Sequence, residues 1–142
     1  MKLAEVLRQK SPEIVSISEV RSIAEAAKLM TGKKIGALLV EGADGKIVGI
    51  LSERDIVGGM GQHGADLHDV AVSELMTRKL IRCSPDDTVN EAMAMMTDRR
   101  IRHLPVFTGD ELVGFISIGD LVKCRITEVQ AEAEAMRAYI AS

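Results

Sequence analysis

The sequence predicts a mixed α/β (α+β) fold made of two copies of one β-α-β-β-α unit, with a long C-terminal helix. Two observations carry most of that prediction: the chain repeats itself, and each copy changes its apolar periodicity in the same order. Sliding the chain by 66 residues lays residues 14–40 over residues 80–106 and matches Ser18 with Ser84, Glu25 with Glu91 and Met30 with Met96. The same register pairs Ile35 with Ile101, Leu38 with Leu104 and Val40 with Val106. After a one-residue deletion in the second copy, VGILSERDIV lies over VGFISIGDLV.

Each copy opens on a short apolar strand, residues 14–17 or 80–83. Ser22-x-x-Glu25 and Thr88-x-x-Glu91 then spell capping boxes, in which hydroxyl and carboxylate satisfy the free amides of a starting helix. Apolar residues follow at Ile23, Ala26, Ala27 and Met30, and at Val89, Ala92, Met93 and Met96, the spacing of one buried helix face. The methionines therefore read as core. Two strands come next, residues 36–40 with 47–51 and 103–107 with 112–116, around turns holding Asp44-Gly45 and Gly109-Asp110. Their apolar content implies burial on both faces. A second helix begins at Ser52 or Ser117. Residues 58–69, rich in Gly and His, read as a linker. The division is residues 1–66 for the first repeat with an N-terminal helix, and 67–142 for the second with the C-terminal helix. A pseudo-twofold axis is expected to relate them.

Composition narrows the function. With 142 residues, 46% hydrophobic and 27% charged, the chain can bury a core but not a catalytic domain as well as a regulatory one. A net charge of −3 and only Phe107, Phe115 and Tyr139 as aromatics argue against nucleic acid, which needs positive charge and stacking faces. No apolar run is long enough to cross a membrane and no signal peptide is visible, so a cytoplasmic location is expected. Cys83 and Cys124 have no metal-ligand or disulfide spacing and read as free thiols.

The duplicated motif is Gly-apolar-apolar-Ser-x-x-Asp: Gly49 to Asp55 with Ser52 and Asp55, and Gly114 to Asp120 with Ser117, Gly119 and Asp120. Alone, such an element is a helix cap with an acid in the first turn. Its recurrence at the same place in both copies adds a second reading, a carboxylate that holds a ribose diol beside amides that face phosphate.

These paired repeats, with Met76-Thr77 ahead of the second copy, RHLPV at residues 102–106 and SERD at residues 52–55, resemble a tandem CBS-domain protein over essentially the whole chain. The resemblance implies two related sites in a cleft between the repeats for AMP, ADP, ATP, NAD or another adenosyl compound such as S-adenosylmethionine. It gives Asp55 or Asp120 the ribose hydroxyls and places Ser52 or Ser117 near ribose or phosphate. It puts Arg54, Arg102 and His103 on phosphate, and adenine contacts near Ile35-Gly36 or Ile101-Arg102. Gly36, Ala37 and Leu39 stand where the second copy has Arg102, His103 and Pro105, so the sites are expected to differ, with Asp120 the better supplied with cations.

Gly59 to Gly64 fits G-x-G-x-x-G but follows a helix, so it reads as flexible linker, and His63, Asp66, His68 and Asp69 lack metal-ligand spacing. No nucleophile, base and orienting group assemble, so no enzyme is expected. Beyond Asp120 the helix continues, with Val122, Ile126, Val129, Ala133, Met136 and Ile140 at heptad steps and Glu128, Glu132, Glu134 and Arg137 on its flanks. That seam predicts a homodimer; packing on the N-terminal helix is the alternative. The expected function is regulatory: an adenine nucleotide is bound, no cofactor is required, and an unidentified target protein reads the change. The alternative is an interaction module with vestigial sites.

Overall fold

A computed structural model describes residues 1–142. The chain opens on helix α1 (Leu3–Gln9) and then builds strand β1 (Ser16–Ser18), helix α2 (Ile23–Lys33), strands β2 (Ala37–Glu41) and β3 (Ile47–Ser52), and helix α3 (Glu53–His63). A 3-10 turn (Gly64–Asp69) and the short helix α4 (Val72–Leu75) lead to α5 (Val89–Arg99), β4 (His103–Thr108), β5 (Glu111–Ser117) and α6 (Ile118–Ala141). Two compact units result. One is residues 15–80; the other combines residues 1–14 with 81–142. The division expected from sequence was 66/67; here residues 67–80 stay with the first copy, and α1 joins the second.

In the first-copy unit the sheet runs β1-β2-β3, with β1 parallel and β3 antiparallel to β2. Ser22 caps α2 by accepting from the Glu25 amide at 3.2 Å. The helix stops at Lys34 in the left-handed region (φ 57°), and the Ile35 amide returns to the Met30 carbonyl at 3.0 Å. Ile23, Ala26 and Met30 then face Leu38, Val40 and Leu51 in one core, which Leu67, Val72 and Met76 complete. The expected linker at residues 58–69 is instead ordered helix and 3-10 turn. Gly59 is buried there because α3 passes so close to Leu67 and Leu75 that a side chain would collide with both.

The second-copy unit repeats the plan around Val89, Ala92, Met96, Leu104, Val106, Ile116 and Leu121. Thr88 caps α5, accepting from Glu91 at 3.1 Å, and Arg100 takes the left-handed position (φ 54°) that Lys34 holds in the first copy. Its sheet has only two strands, β4 and β5. The strand expected at residues 80–83 shrinks to one parallel bridge, Cys83 to Val106. Two prolines explain this. In the first copy Ser16 pairs with Leu39, and the Glu19 amide donates to the Glu41 carbonyl at 2.9 Å. The second copy has Pro105 at the position of Leu39 and Pro85 at that of Glu19, and neither has an N–H to give. Only the Cys83 bonds survive, its amide to Pro105 O at 3.2 Å and the Phe107 amide to its carbonyl at 2.8 Å.

Each unit is closed by a lead-in segment, and the two segments make equivalent backbone hydrogen bonds. In the first-copy unit Val72 N–H donates to Arg21 O at 2.8 Å and Ser73 N–H to Glu19 O at 3.0 Å. In the second, Leu3 N–H donates to Asp87 O at 2.8 Å and Ala4 N–H to Pro85 O at 3.0 Å. Leu3 thus corresponds to Val72, Leu7 to Met76 and Lys10 to Lys79. The matching glycines agree: a side chain at Gly114 would strike Leu7, and one at Gly49 would strike Met76 and the Thr77 carbonyl.

Candidate functional site

In both copies the last strand turns directly into a helix, and Ser-x-x-Asp occupies that corner. Ser52 is extended (φ −111°, ψ 165°) and its hydroxyl accepts from the Asp55 amide at 3.3 Å. Asp55 reciprocates, with Oδ2 accepting from the Ser52 amide at 2.9 Å and from its hydroxyl at 3.1 Å. Ser117 and Asp120 do the same at 3.2 Å and 2.9 Å. Both elements are therefore complete capping boxes, which also fix the carboxylates at the positive end of a helix.

The start of the neighbouring strand is tied to the same corner. Glu53 N–H donates to the Gly36 carbonyl at 3.0 Å, and Ile118 N–H to that of Arg102 at 2.8 Å. Ile35-Gly36 and Ile101-Arg102 thereby stand beside the helix starts. His103 pairs with Ser117 in the sheet register, and its ring lies 5.6 Å from that of Phe115. Arg54 and Arg102 reach solvent. Gly119, in the first turn of α6, borders open space, since an added Cβ would meet only Ser117 Oγ at 3.6 Å. Pro105 lies deeper, buried in mid-strand opposite Phe115. In the first-copy unit a groove of about 520 Å³ opens between the end of α2 and the start of α3, lined by Met30, Lys34, Ile35, Gly36, Glu53 and Ile56 among others. It takes in the predicted pair Ile35-Gly36 but not Ser52 or Asp55.

Sequence reasoning missed Lys10. Its ammonium donates to Asp120 Oδ2 at 2.7 Å and to the Phe115 carbonyl at 2.5 Å. Burial would raise the Asp120 carboxyl, but the bonds from Lys10 and Ser117 outweigh it and hold the group below the usual carboxylate range. The signal was present: Glu5-Val6-Leu7-x-x-Lys10 matches Glu74-Leu75-Met76-x-x-Lys79. Burial, with Asp87 nearby, pushes the Cys83 thiol up to about 12, and burial beside Asp120 and Glu128 raises Cys124, so both are protonated thiols near neutral pH. No cluster of three or more His, Cys, Asp or Glu is assembled that could hold a metal ion.

A family model of the CBS domain matches residues 4–61 and again residues 72–126. The chain is a tandem CBS-domain protein. It is 37% identical over 123 residues to the "CBS domain-containing protein CBSX3, mitochondrial" of Arabidopsis thaliana, an alignment covering 84% of this chain and 60% of that relative. The chain therefore spans less than two thirds of that relative's length. A crystal structure of a CBS-domain-containing protein from Agrobacterium tumefaciens superposes with a TM-score of 0.85 at 40% identity, covering 87% of this chain and 92% of the other. The CBS domain pair of protein MJ0100, solved in complex with 5′-methylthioadenosine and S-adenosyl-L-methionine, superposes with a TM-score of 0.75 at 25% identity, covering 87% and 98%. CBS pairs are regulatory modules, and adenosine-containing ligands are bound in that neighbour. No helix of this chain is long and apolar enough to cross a membrane.

Proposed function

We propose that this CBS pair is a regulatory module that binds an adenosine-containing ligand through its Ser-x-x-Asp corners and passes on the resulting change in conformation, without catalysing a reaction. The observation that carries this reading is the duplication of one geometry. In each copy a carboxylate fixed at a helix start, a serine hydroxyl and an adjoining strand-start carbonyl converge, and that set suits a ribose with its phosphate. The adenosyl ligands of the MJ0100 pair point to the same class. AMP, ADP, ATP and NAD are the candidates, since each carries the adenosine such a corner would read. A thermal-shift panel of these nucleotides with S-adenosylmethionine and GTP tests it. At least one adenosyl ligand should raise the melting temperature by mass action, and a flat response across the panel would contradict the proposal.

A second reading rests on the capping boxes themselves. Both carboxylates already serve their own helix starts, so the corners could be structural, and the module an interaction domain with vestigial sites.

The module is further proposed to act as a homodimer on an unidentified target protein. Past residue 126 no residue of α6 is buried, and its heptad seam stands exposed, Ile126 at 52%, Val129 at 47%, Met136 at 59% and Ile140 at 75%. Light scattering of a form ending at residue 126 should give a monomer; a dimer of undiminished stability would place the contact elsewhere.

A further inference from the structure

We infer that Lys10 is a built-in competitor for the ribose acceptor of the second corner, so that the Asp55 corner is open to ligand and the Asp120 corner is closed until Lys10 leaves. This rests on the adenosine-binding reading above. The contact is specific: one ammonium spans Asp120 Oδ2 at 2.7 Å and the Phe115 carbonyl at 2.5 Å, with both side chains about two-thirds buried. A ribose diol would donate two hydroxyl hydrogens to the same carboxylate, whose Oδ2 already accepts from Lys10 and from the Ser117 amide. Ammonium and diol therefore seek the same lone pairs. At Asp55 the second bond to Oδ2 comes instead from the Ser52 hydroxyl, which a bond rotation frees, whereas at Asp120 it comes from a tethered ammonium that the diol must displace.

The first corner has the same parts and lacks the closure. Lys79 holds the position equivalent to Lys10, yet it is exposed and no hydrogen bond or ion pair holds it. The cause lies in helix length. α4 ends at Leu75, and Met76 turns to extended backbone (ψ 151°), so that Thr77 exchanges two hydrogen bonds with Ile50, at 2.8 and 3.0 Å. Ile50 is the counterpart of Phe115. α1 instead runs on to Gln9, whose turn keeps the backbone amides inside the helix. The Phe115 carbonyl is then met by the Lys10 side chain, and the same side chain reaches Asp120. In the first-copy unit backbone pairing satisfies the edge strand and leaves the carboxylate to its own serine; in the second a side chain bridges both.

Calorimetric titration of the full chain with AMP and with S-adenosylmethionine tests this, using the parent, Lys10→Met, Lys10→Arg and Lys79→Met. The parent should show two unequal sites or one. Lys10→Met should tighten the weaker site by up to about fivefold, the most that a partly exposed charge pair supplies, and leave the tighter site unchanged. Lys10→Arg should bind like the parent, because a guanidinium can restore the bridge, and Lys79→Met should change neither site. Weaker-site affinity that is unchanged or lowered in Lys10→Met would overturn the competition while leaving the ligand reading intact. No binding of either ligand by any of the four proteins would remove the ligand reading and the competition together.

Discussion

The two units start from nearly the same sequence pattern, and comparing them shows how two prolines and one extra helical turn make a duplicated corner unequal. Their cores correspond residue for residue: Ile23, Ala26, Met30, Leu38, Val40 and Leu51 against Val89, Ala92, Met96, Leu104, Val106 and Ile116. Their edges do not. The first-copy unit keeps a three-stranded sheet and a lead-in segment that pairs through its backbone; the second loses a strand to Pro85 and Pro105 and takes a side-chain bridge from Lys10. Burial sets the shared part, since a displaced core residue costs several kcal/mol. The unequal part depends on single hydrogen bonds worth about 1 kcal/mol each, which substitutions can redirect.

The largest expected difference between the units lies at their matching glycines. Gly49→Ala would press a Cβ to 2.8 Å from the Thr77 carbonyl, a backbone atom that cannot turn aside, and to 2.9 Å from Met76 Sδ. Gly114→Ala would press on the end of the Leu7 side chain, which can rotate. Chemical denaturation should show a loss of about 2–3 kcal/mol for Gly49→Ala and about 1 kcal/mol for Gly114→Ala. Equal losses would mean that the two lead-in segments are held with the same rigidity.

A smaller effect is expected from Lys10→Met, and it depends on pH. The carboxyl of Asp120 is depressed in the folded chain, so its contribution is present above the unfolded value of about 3.9 and is lost as pH falls through the lower, folded value. Besides Lys10, the charged or titratable groups near it are Lys123 and Cys124 on its own helix and His103 across the sheet from Ser117. Removing Lys10 should lower stability by up to about 1 kcal/mol near pH 7, with the gap to the parent closing as pH falls through the folded value and Asp120 protonates in both. A gap that stays constant into acid would assign the loss to packing of the Lys10 stem.

Much of this was legible because local signals agreed with the global plan. The repeat register, the Ser22 and Thr88 caps, the Gly45 and Gly109 turns at positive φ and the alternation of strands and helices all appear where the sequence puts them. The third strand of the second sheet was not legible, because residues 80–83 are apolar enough, and the deficit lies in missing N–H groups on Pro85 and Pro105. Gly59 reads as a linker residue by composition, while Leu67 and Leu75, several residues on, make it a packing contact. Asp120 was expected to draw its cations from Arg102 and His103. The cation bonded to it comes from residue 10, and only the Glu-apolar-apolar-x-x-Lys echo, read with the register of the lead-in segments, could have shown it.

The most direct test of the account compares binding with stability in Asp55→Ala and Asp120→Ala, by calorimetric titration with AMP and S-adenosylmethionine and by melting. As a first-turn acid each carboxylate is worth roughly 0.3–1 kcal/mol to the fold, whereas as a ribose acceptor its charged hydrogen bonds are worth about 1.5–3 kcal/mol to the ligand. The account predicts that Asp55→Ala abolishes or weakens the tighter site on the order of ten- to a hundredfold while melting only slightly lower, and that Asp120→Ala spares that site. If both variants bind as the parent does and each merely melts a little lower, the carboxylates are helix caps and this module does not read adenosine through them.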